Sequence, residues 1–214
     1  MHLYHHPLSS NARRAVMTAH HLAPLLKAPV TLTLVDLMTG AHQTPTFKQL
    51  NPAAKVPVLT DGDFVLTESP AIMVYLAESA PGQTLWPAQL QARAEVNRWL
   101  FWCAAHFMPA VATLNWERFV KRMVTGEAAD PARVGQGEAE FAAHAALLDA
   151  HLTGRDWVCG DALSLADFSL AAPLMHVQTA RLQLAPFEHL NAWWGRVREL
   201  PAWQASEPPA MARD

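Results

Sequence analysis

A proline at the head of an apolar run is the strongest constraint on how this chain can fold. In Asn51-Pro52-Ala53-Ala54-Lys55-Val56-Pro57-Val58-Leu59, the run Val58-Leu59 has strand character, and Pro57 has no N–H to give to a ladder. Pro57 must therefore stand at the first residue of a strand or on a sheet edge. A cis Val56-Pro57 bond at that point would turn the Val56 N–H and C=O out of the sheet, toward a ligand. Asp61-Gly62 predicts a two-residue hairpin turn, and Phe64-Val65-Leu66 is the returning strand. Glu68-Ser69-Pro70-Ala71 then opens a helix, with Ser69 expected as N-cap and Pro70 at N1. An open helix N-terminus beside an acid can hold both ends of an amino acid. Helix amides and the Ser69 hydroxyl suit a carboxylate, and Glu68 suits an ammonium.

The hydrophobic period changes near residue 80. Before it, Leu3-Tyr4-His5 and residues 30–35 read as strands, 11–21, 46–50 and 70–79 as helices, and the hairpin as two further strands. The order β-α-β-α-β-β-α implies an α/β sandwich. Residues 81–87 carry two prolines and a glycine and read as a linker. From 88 to 214 the pattern is all-helical. One long helix is expected over 89–124, kinked near Pro109, another from Asp130-Pro131 to 152, one from Ser164 to about 182, and a last over 187–200, closed by Pro201. Leu163-Ser164-Leu165-Ala166-Asp167-Phe168 predicts a capping box and a hydrophobic staple.

Composition narrows the function classes. A formal charge of −3 and a pI near 6.4 leave no basic footprint, so nucleic acid is not an expected partner. Charged residues make up only 16% while tryptophans number 8, which suggests large buried surfaces, a subunit interface among them. The opening Met-His-Leu-Tyr runs straight into strand-like sequence without a signal-peptide pattern, and no apolar run reaches membrane-spanning length. The two cysteines, Cys103 and Cys159, form no CxxC pattern, and the eleven histidines fall at no zinc-ligand spacing, so no metal site is expected. A reducing cytoplasm is the expected location.

Lys-x-Pro, hairpin, Glu-Ser and helix, in that order within twenty residues, resemble the glutathione-binding half of a cytosolic glutathione S-transferase. The all-helical second half, with its Ser-x-Ala-Asp box after a glycine-containing turn, is similar to the family's second domain, so the resemblance spans essentially the whole chain. It implies a thioredoxin-like N-terminal domain over 1–80, a helical-bundle C-terminal domain, glutathione as co-substrate, and a homodimer with the Glu68-Ser69 helix and the long helix from Gln89 near the interface. The serine-type, phi- and theta-like members are the nearest in pattern.

Such a site must hold a thiol of pKa about 8.5 as thiolate, which calls for hydrogen-bond donors at sulfur and a positive helix end. The turn Pro7-Leu8-Ser9-Ser10-Asn11 lies where those donors belong. By resemblance, Ser9 is the sulfur-contacting hydroxyl, Ser10 the next candidate, and Asn11 an added amide. Taken alone, a serine there would more commonly cap a helix, and the two roles are compatible. Tyr4 resembles the tyrosine that other classes use, but in a serine-type sequence it reads as sheet packing. His42 and Lys55 would meet the glycyl carboxylate, Val56 before Pro57 would bond the cysteinyl backbone, and Glu68 with Ser69 would take the γ-glutamyl end. Ala54 stands where the family often has glycine. Alanine disfavours a positive φ, so an ordinary backbone is expected at that position. The resemblance places a second-substrate pocket near Leu8, Trp102, His106 and Asn115. Trp99, Trp102 and His106 share one helical face, a stripe that more commonly packs a core or interface.

The leading reading is an enzyme that stabilises the glutathione thiolate and transfers it to an electrophilic carbon. Peroxide reduction, disulfide reduction with help from Asn11, isomerisation and dehalogenation could use the same site. A non-catalytic binding protein of the same fold is the alternative of a different class.

Overall fold

A computed structural model describes residues 1–208 and divides them into two units. Residues 1–86 with the C-terminal stretch from Glu199 make one, and residues 87–198 the other.

The first unit is built on β1 (His2–His5), α1 (Ser10–Leu22), β2 (Thr31–Leu34), α2 (Pro45–Leu50), β3 (Val58–Asp61), β4 (Phe64–Leu66) and α3 (Ser69–Glu78). The sheet runs β2-β1-β3-β4, with β1 parallel to β2 and antiparallel to β3. This is the thioredoxin-like arrangement. In α1 the alanines Ala12, Ala15 and Ala19 with Val16 and Leu22 recur at helical spacing and are all buried, and α1 packs on α3. Along β1, Leu3 is fully buried, while Tyr4, on the alternate face, meets Phe47 of α2 edge-on at 6.3 Å. Tyr4 thus joins the cluster of Phe47, Val56 and Val58. Pro57 heads β3 as its chemistry requires, and the Val56–Pro57 bond is cis.

Three local expectations are displaced. Asp61 pairs with Phe64, so the hairpin turns on Gly62-Asp63, one residue later than the sequence suggested, with Gly62 at φ +58°. Ala54 takes φ +52° in spite of its Cβ. Its N–H is drawn to the Asn51 C=O at 2.8 Å, in a loop that Asn51 organises from within. Glu68, at φ +67° and ψ 110°, precedes α3, so Ser69 is the first helical residue rather than the N-cap, and Pro70 the second.

The second unit contains α4 (Leu90–Trp102), α5 (Met108–Asn115), α6 (Lys121–Thr125), α7 (Pro131–Leu152), α8 (Leu165–Ala171) and all but the last residue of α9 (Glu188–Glu199). The first three form one helical run, loosened into wide π-type turns at Cys103–Phe107 and Trp116–Val120. Pro109 cannot donate to the carbonyl one turn back, which accounts for the first. Asp130 caps α7 by accepting from the amides of Ala132 and Arg133. Gly137 lets α5 lie close, since a Cβ there would stand 3.1 Å from Leu114. At α8 the capping box forms as expected. The buried Asp167 carboxylate accepts from the Ser164 N–H and hydroxyl, each at 2.9 Å, and also from the Val158 N–H and the Trp193 indole.

Two helix ends depart from the sequence reading. α8 stops at Ala171 and tightens into a 3-10 turn over Ala172–His176, because Pro173 cannot continue it. Pro201 does close α9, but it also opens a further helix, α10 (Pro201–Ala205), a role its fixed φ suits. The helix α10 belongs to the first unit, whereas the sequence assigned the whole tail to the helical half. Arg13 of α1 is the reason. Its guanidinium lies 3.5 Å over the Trp203 ring and donates to the Trp203 carbonyl at 3.2 Å and the Ser206 hydroxyl at 3.1 Å.

Candidate functional site

The register of the sheet assembles the site. Tyr4 lies opposite Val58, so continuing the antiparallel pairing sets Val56 beside His6 and the turn that follows β1. Neither the N–H nor the C=O of Val56 bonds to another described residue outside the strands. The Val56–Pro57 bond that follows is cis. Lys55 is exposed, and its carbonyl accepts from the Asn51 side chain at 2.7 Å. The same side chain accepts the Ala53 N–H at 3.0 Å. Asn51 therefore shapes the Lys55 loop from a buried position, a role the sequence reading missed. Its only signal was the Asn-Pro pair at the end of α2.

Ser9 is the N-cap of α1, and its Oγ accepts the Ala12 N–H at 3.2 Å. Acceptance uses a lone pair and leaves the O–H to point elsewhere, so the capping role and a donor role toward sulfur are compatible. No acidic residue occupies the first turn of α1, so the positive end of the helix is not neutralised locally. Ser10 is only 3% exposed, whereas Asn11 is exposed.

The start of α3 meets the start of α1. The Ser69 hydroxyl, buried at 4% exposure, donates to Asn11 Oδ1 at 3.4 Å. Turned toward Asn11, Ser69 caps nothing in its own helix, and no side chain caps α3. The exposed Glu68 is held at its positive φ beside these open amides. A non-glycine residue there costs on the order of 1–3 kcal/mol, a form of strain that clusters at ligand sites. His42 lies in the 3-10 turn Ala41–Gln43, entered through Gly40 at φ +76°. Its Nδ1 is enclosed and bonds to no described residue.

In the second unit, Trp102 is packed among aromatic rings, edge-on to Trp99 at 5.1 Å and stacked with Phe107 at 5.9 Å. His106 is exposed and lies 6.2 Å from Trp102 and 5.7 Å from His144. Asn115 lies elsewhere on the unit and accepts from the Thr179 hydroxyl at 2.6 Å. Leu8 belongs to the first unit, half-buried in the turn before Ser9. Cys103 is buried, and burial pushes the Cys159 thiol up to about 12. Among the described residues no group of three or more histidines, cysteines and acids could hold a metal ion. No helix there is long and apolar enough to cross a membrane.

Residues 1–78 match the N-terminal domain of glutathione S-transferases, and residues 107–201 match the C-terminal domain. Glutathione S-transferase 3 of Zea mays is 34% identical over 208 residues, 94% of this chain and 90% of that one. The chain belongs to the glutathione S-transferase family. Human glutathione S-transferase theta-1 is 36% identical over 174 residues, covering 79% of this chain and 72% of the human protein. A theta class glutathione S-transferase from the citrus canker pathogen Xanthomonas axonopodis pv. citri, solved with glutathione bound, superposes with a TM-score of 0.86 at 29% identity. That superposition covers 98% of this chain and 97% of the bacterial one. The transferase fold, a thioredoxin-like unit with a helical unit, is the fold of this chain.

Proposed function

We propose that this transferase binds glutathione along the end of the sheet in its first unit and holds the sulfur as thiolate through the Ser9 hydroxyl. The observation that carries the reading is the Ser69–Asn11 hydrogen bond. It brings two helix N-termini together, the one capped by Ser9 and the uncapped one that follows Glu68.

Each part of glutathione then has a partner of matching chemistry. The γ-glutamyl carboxylate meets the first amides of α3 and the Ser69 hydroxyl, and its ammonium meets Glu68. The cysteinyl N–H and C=O pair with the backbone of Val56, ahead of Pro57. Lys55 and His42 take the glycyl carboxylate. The thiol loses its proton to solvent, and the Ser9 O–H and the N-terminal end of α1 stabilise the anion that remains. The thiolate attacks an electrophilic carbon. A carbon–sulfur bond forms and the leaving group departs with its electron pair. The acceleration comes from the stabilised thiolate and from holding both reactants together. Ser10, buried in α1, and Asn11, which accepts from Ser69, act as supports of this turn.

The same reading assigns residues 1–80 to glutathione, 81–87 to a linker and the helices α4 to α9 to the electrophile, with Trp102 and His106 as aromatic members of that surface and Asn115 as a polar one. A second copy is proposed to cover the exposed apolar side chains Phe64 and Val65 on β4 and Leu90 and Phe101 on α4. The protein is placed in the cytoplasm, where glutathione is abundant.

The test is retention on immobilised glutathione with elution by free glutathione, joined to a conjugation assay with an aryl halide. Binding with turnover is the expected result. Binding without turnover across aryl halides, peroxides and mixed disulfides would leave a glutathione-binding protein, and absence of binding would refute the reading. Light scattering is expected to give twice the chain mass.

A further inference from the structure

His6 is a buried histidine that the transfer chemistry above does not use, and it sits where the catalytic turn leaves the sheet. It is 8% exposed. Its Nδ1 accepts the Leu8 N–H at 3.2 Å, and its carbonyl accepts the Ser9 N–H at 3.0 Å. One residue thus engages both successive amides of the turn that carries Ser9. Charge-bearing groups lie around the ring, and Arg13 and His20 of α1 with Glu207 line the same cavity as His6. Asp36 follows β2, His42 lies in the 3-10 turn, and His5 adjoins it on β1. Asp36 itself shapes the loop toward His42, accepting the Met38 N–H at 2.8 Å through its side chain and the Ala41 N–H at 3.0 Å through its carbonyl. A neutral imidazole has one accepting nitrogen, so the bond from Leu8 fixes the ring proton on Nε2.

We propose that His6 is a positioning residue of this transferase: its neutral Nδ1 grips the turn at residues 7–9 so that the Ser9 hydroxyl meets the glutathione sulfur, and protonation of the ring releases that grip. The inference rests on the assignment of Ser9 made above. Burial moves His6 below its ordinary value, opposed by Asp36 and assisted by His42. The neutral, gripping ring therefore prevails at neutral pH. The grip is lost only as the pH falls through a midpoint that itself lies below the usual histidine value of about 6.5.

The discriminating variants differ in where they offer an acceptor. In His6→Asn the amide oxygen sits close to the position of Nδ1 and does not titrate. In His6→Gln it reaches toward the position of Nε2, and His6→Leu has no acceptor. The readouts are kcat, KM for glutathione, and titration of the bound thiol by its ultraviolet thiolate absorption. His6→Asn is expected to keep kcat within about twofold and to lose the component of the acid-side fall in kcat that belongs to His6. His6→Gln and His6→Leu are expected to lower kcat about tenfold with KM for glutathione little changed, and to raise the thiol midpoint by about one pH unit. Equal behaviour of the Asn and Gln variants, or a wild-type kcat and midpoint in His6→Leu, overturns the proposal. Circular dichroism checks each fold, and if His6→Leu does not fold, the comparison of Asn with Gln decides. Ser9→Ala is titrated alongside. A midpoint that Ser9→Ala leaves unmoved refutes the Ser9 assignment and this inference with it, whereas a midpoint raised by Ser9→Ala but not by His6→Gln refutes the role of His6 alone.

Discussion

Replacing Ser9 by alanine removes two interactions at once, and the structure allows their costs to be separated. The first is the N-cap bond from the Ala12 N–H, long at 3.2 Å. Caps of this kind are worth about 0.5–2 kcal/mol, and the length places this one near about 1 kcal/mol. The second is the proposed hydrogen bond from the hydroxyl to the thiolate. A hydrogen bond to a charged group contributes about 1.5–3 kcal/mol, and about 1.4 kcal/mol corresponds to one pKa unit. Ser9→Ala should therefore raise the midpoint of the bound thiol by about one to two units. Below the wild-type midpoint that lowers the thiolate fraction, and with it turnover, by about ten- to a hundredfold, and by less where the wild-type thiol is already ionised. KM for glutathione should change little, because Glu68, Ser69, Val56, Lys55 and His42 all remain. Ser9→Gly separates the two costs, since glycine at an N-cap falls short of serine by only a few tenths of a kcal/mol. It should lose turnover as Ala does while keeping most of the thermal stability. The assay pairs aryl-halide conjugation with ultraviolet titration of the thiolate and thermal unfolding. Turnover within about twofold of wild type in both variants, with an unshifted midpoint, would refute the role of Ser9.

Glu68→Ala should raise KM for glutathione about tenfold with kcat little changed, read from initial rates, because it removes the partner proposed for the ammonium. Glu68→Gly should bind as weakly as Ala but unfold at a higher temperature, since glycine takes φ +67° without strain. Ala54→Gly should stabilise the protein by about 1 kcal/mol in urea unfolding for the same reason at φ +52°, and a loss of stability would count against strain at that position. Asp167→Ala strips the acceptor from the buried amides of Val158 and Ser164 and from the Trp193 indole. At about 1–3 kcal/mol for each orphaned donor, it should destabilise the second unit by about 4 kcal/mol or more, and a loss below about 1.5 kcal/mol in denaturant unfolding would contradict this network.

Much of the fold was legible because its signals are local. Asp130-Pro131 started α7 as read, Ser164 and Asp167 formed their box, and the change of period near residue 80 separated the mixed segment from the helical one. The errors share a cause. Pro201 was read as a terminator, although the same fixed φ opens a helix just as well, and nothing within a few residues decides between the two. Glu68 and Ala54 carry ordinary side chains, so composition gave no warning of positive φ at either position. His6 stood among eleven histidines with nothing to distinguish it, since the bond from the Leu8 N–H to its Nδ1 is visible only in the folded turn.

By itself, the sequence determined the caps at Asp130 and Ser164 and the hydrophobic periods, and with them the order of elements and the resemblance that named glutathione. Those signals act over about four residues, the reach of a helical turn or a hairpin. Only the tertiary structure decided which ends meet. Ser69 reaches Asn11 across 58 residues, and Arg13 clasps the Trp203 carbonyl across 190. Such pairings depend on how whole helices pack and on where a buried hydroxyl or guanidinium finds its partner, which no local pattern encodes. The site is therefore written in short motifs, but it becomes a site only where packing brings the starts of α1 and α3 together.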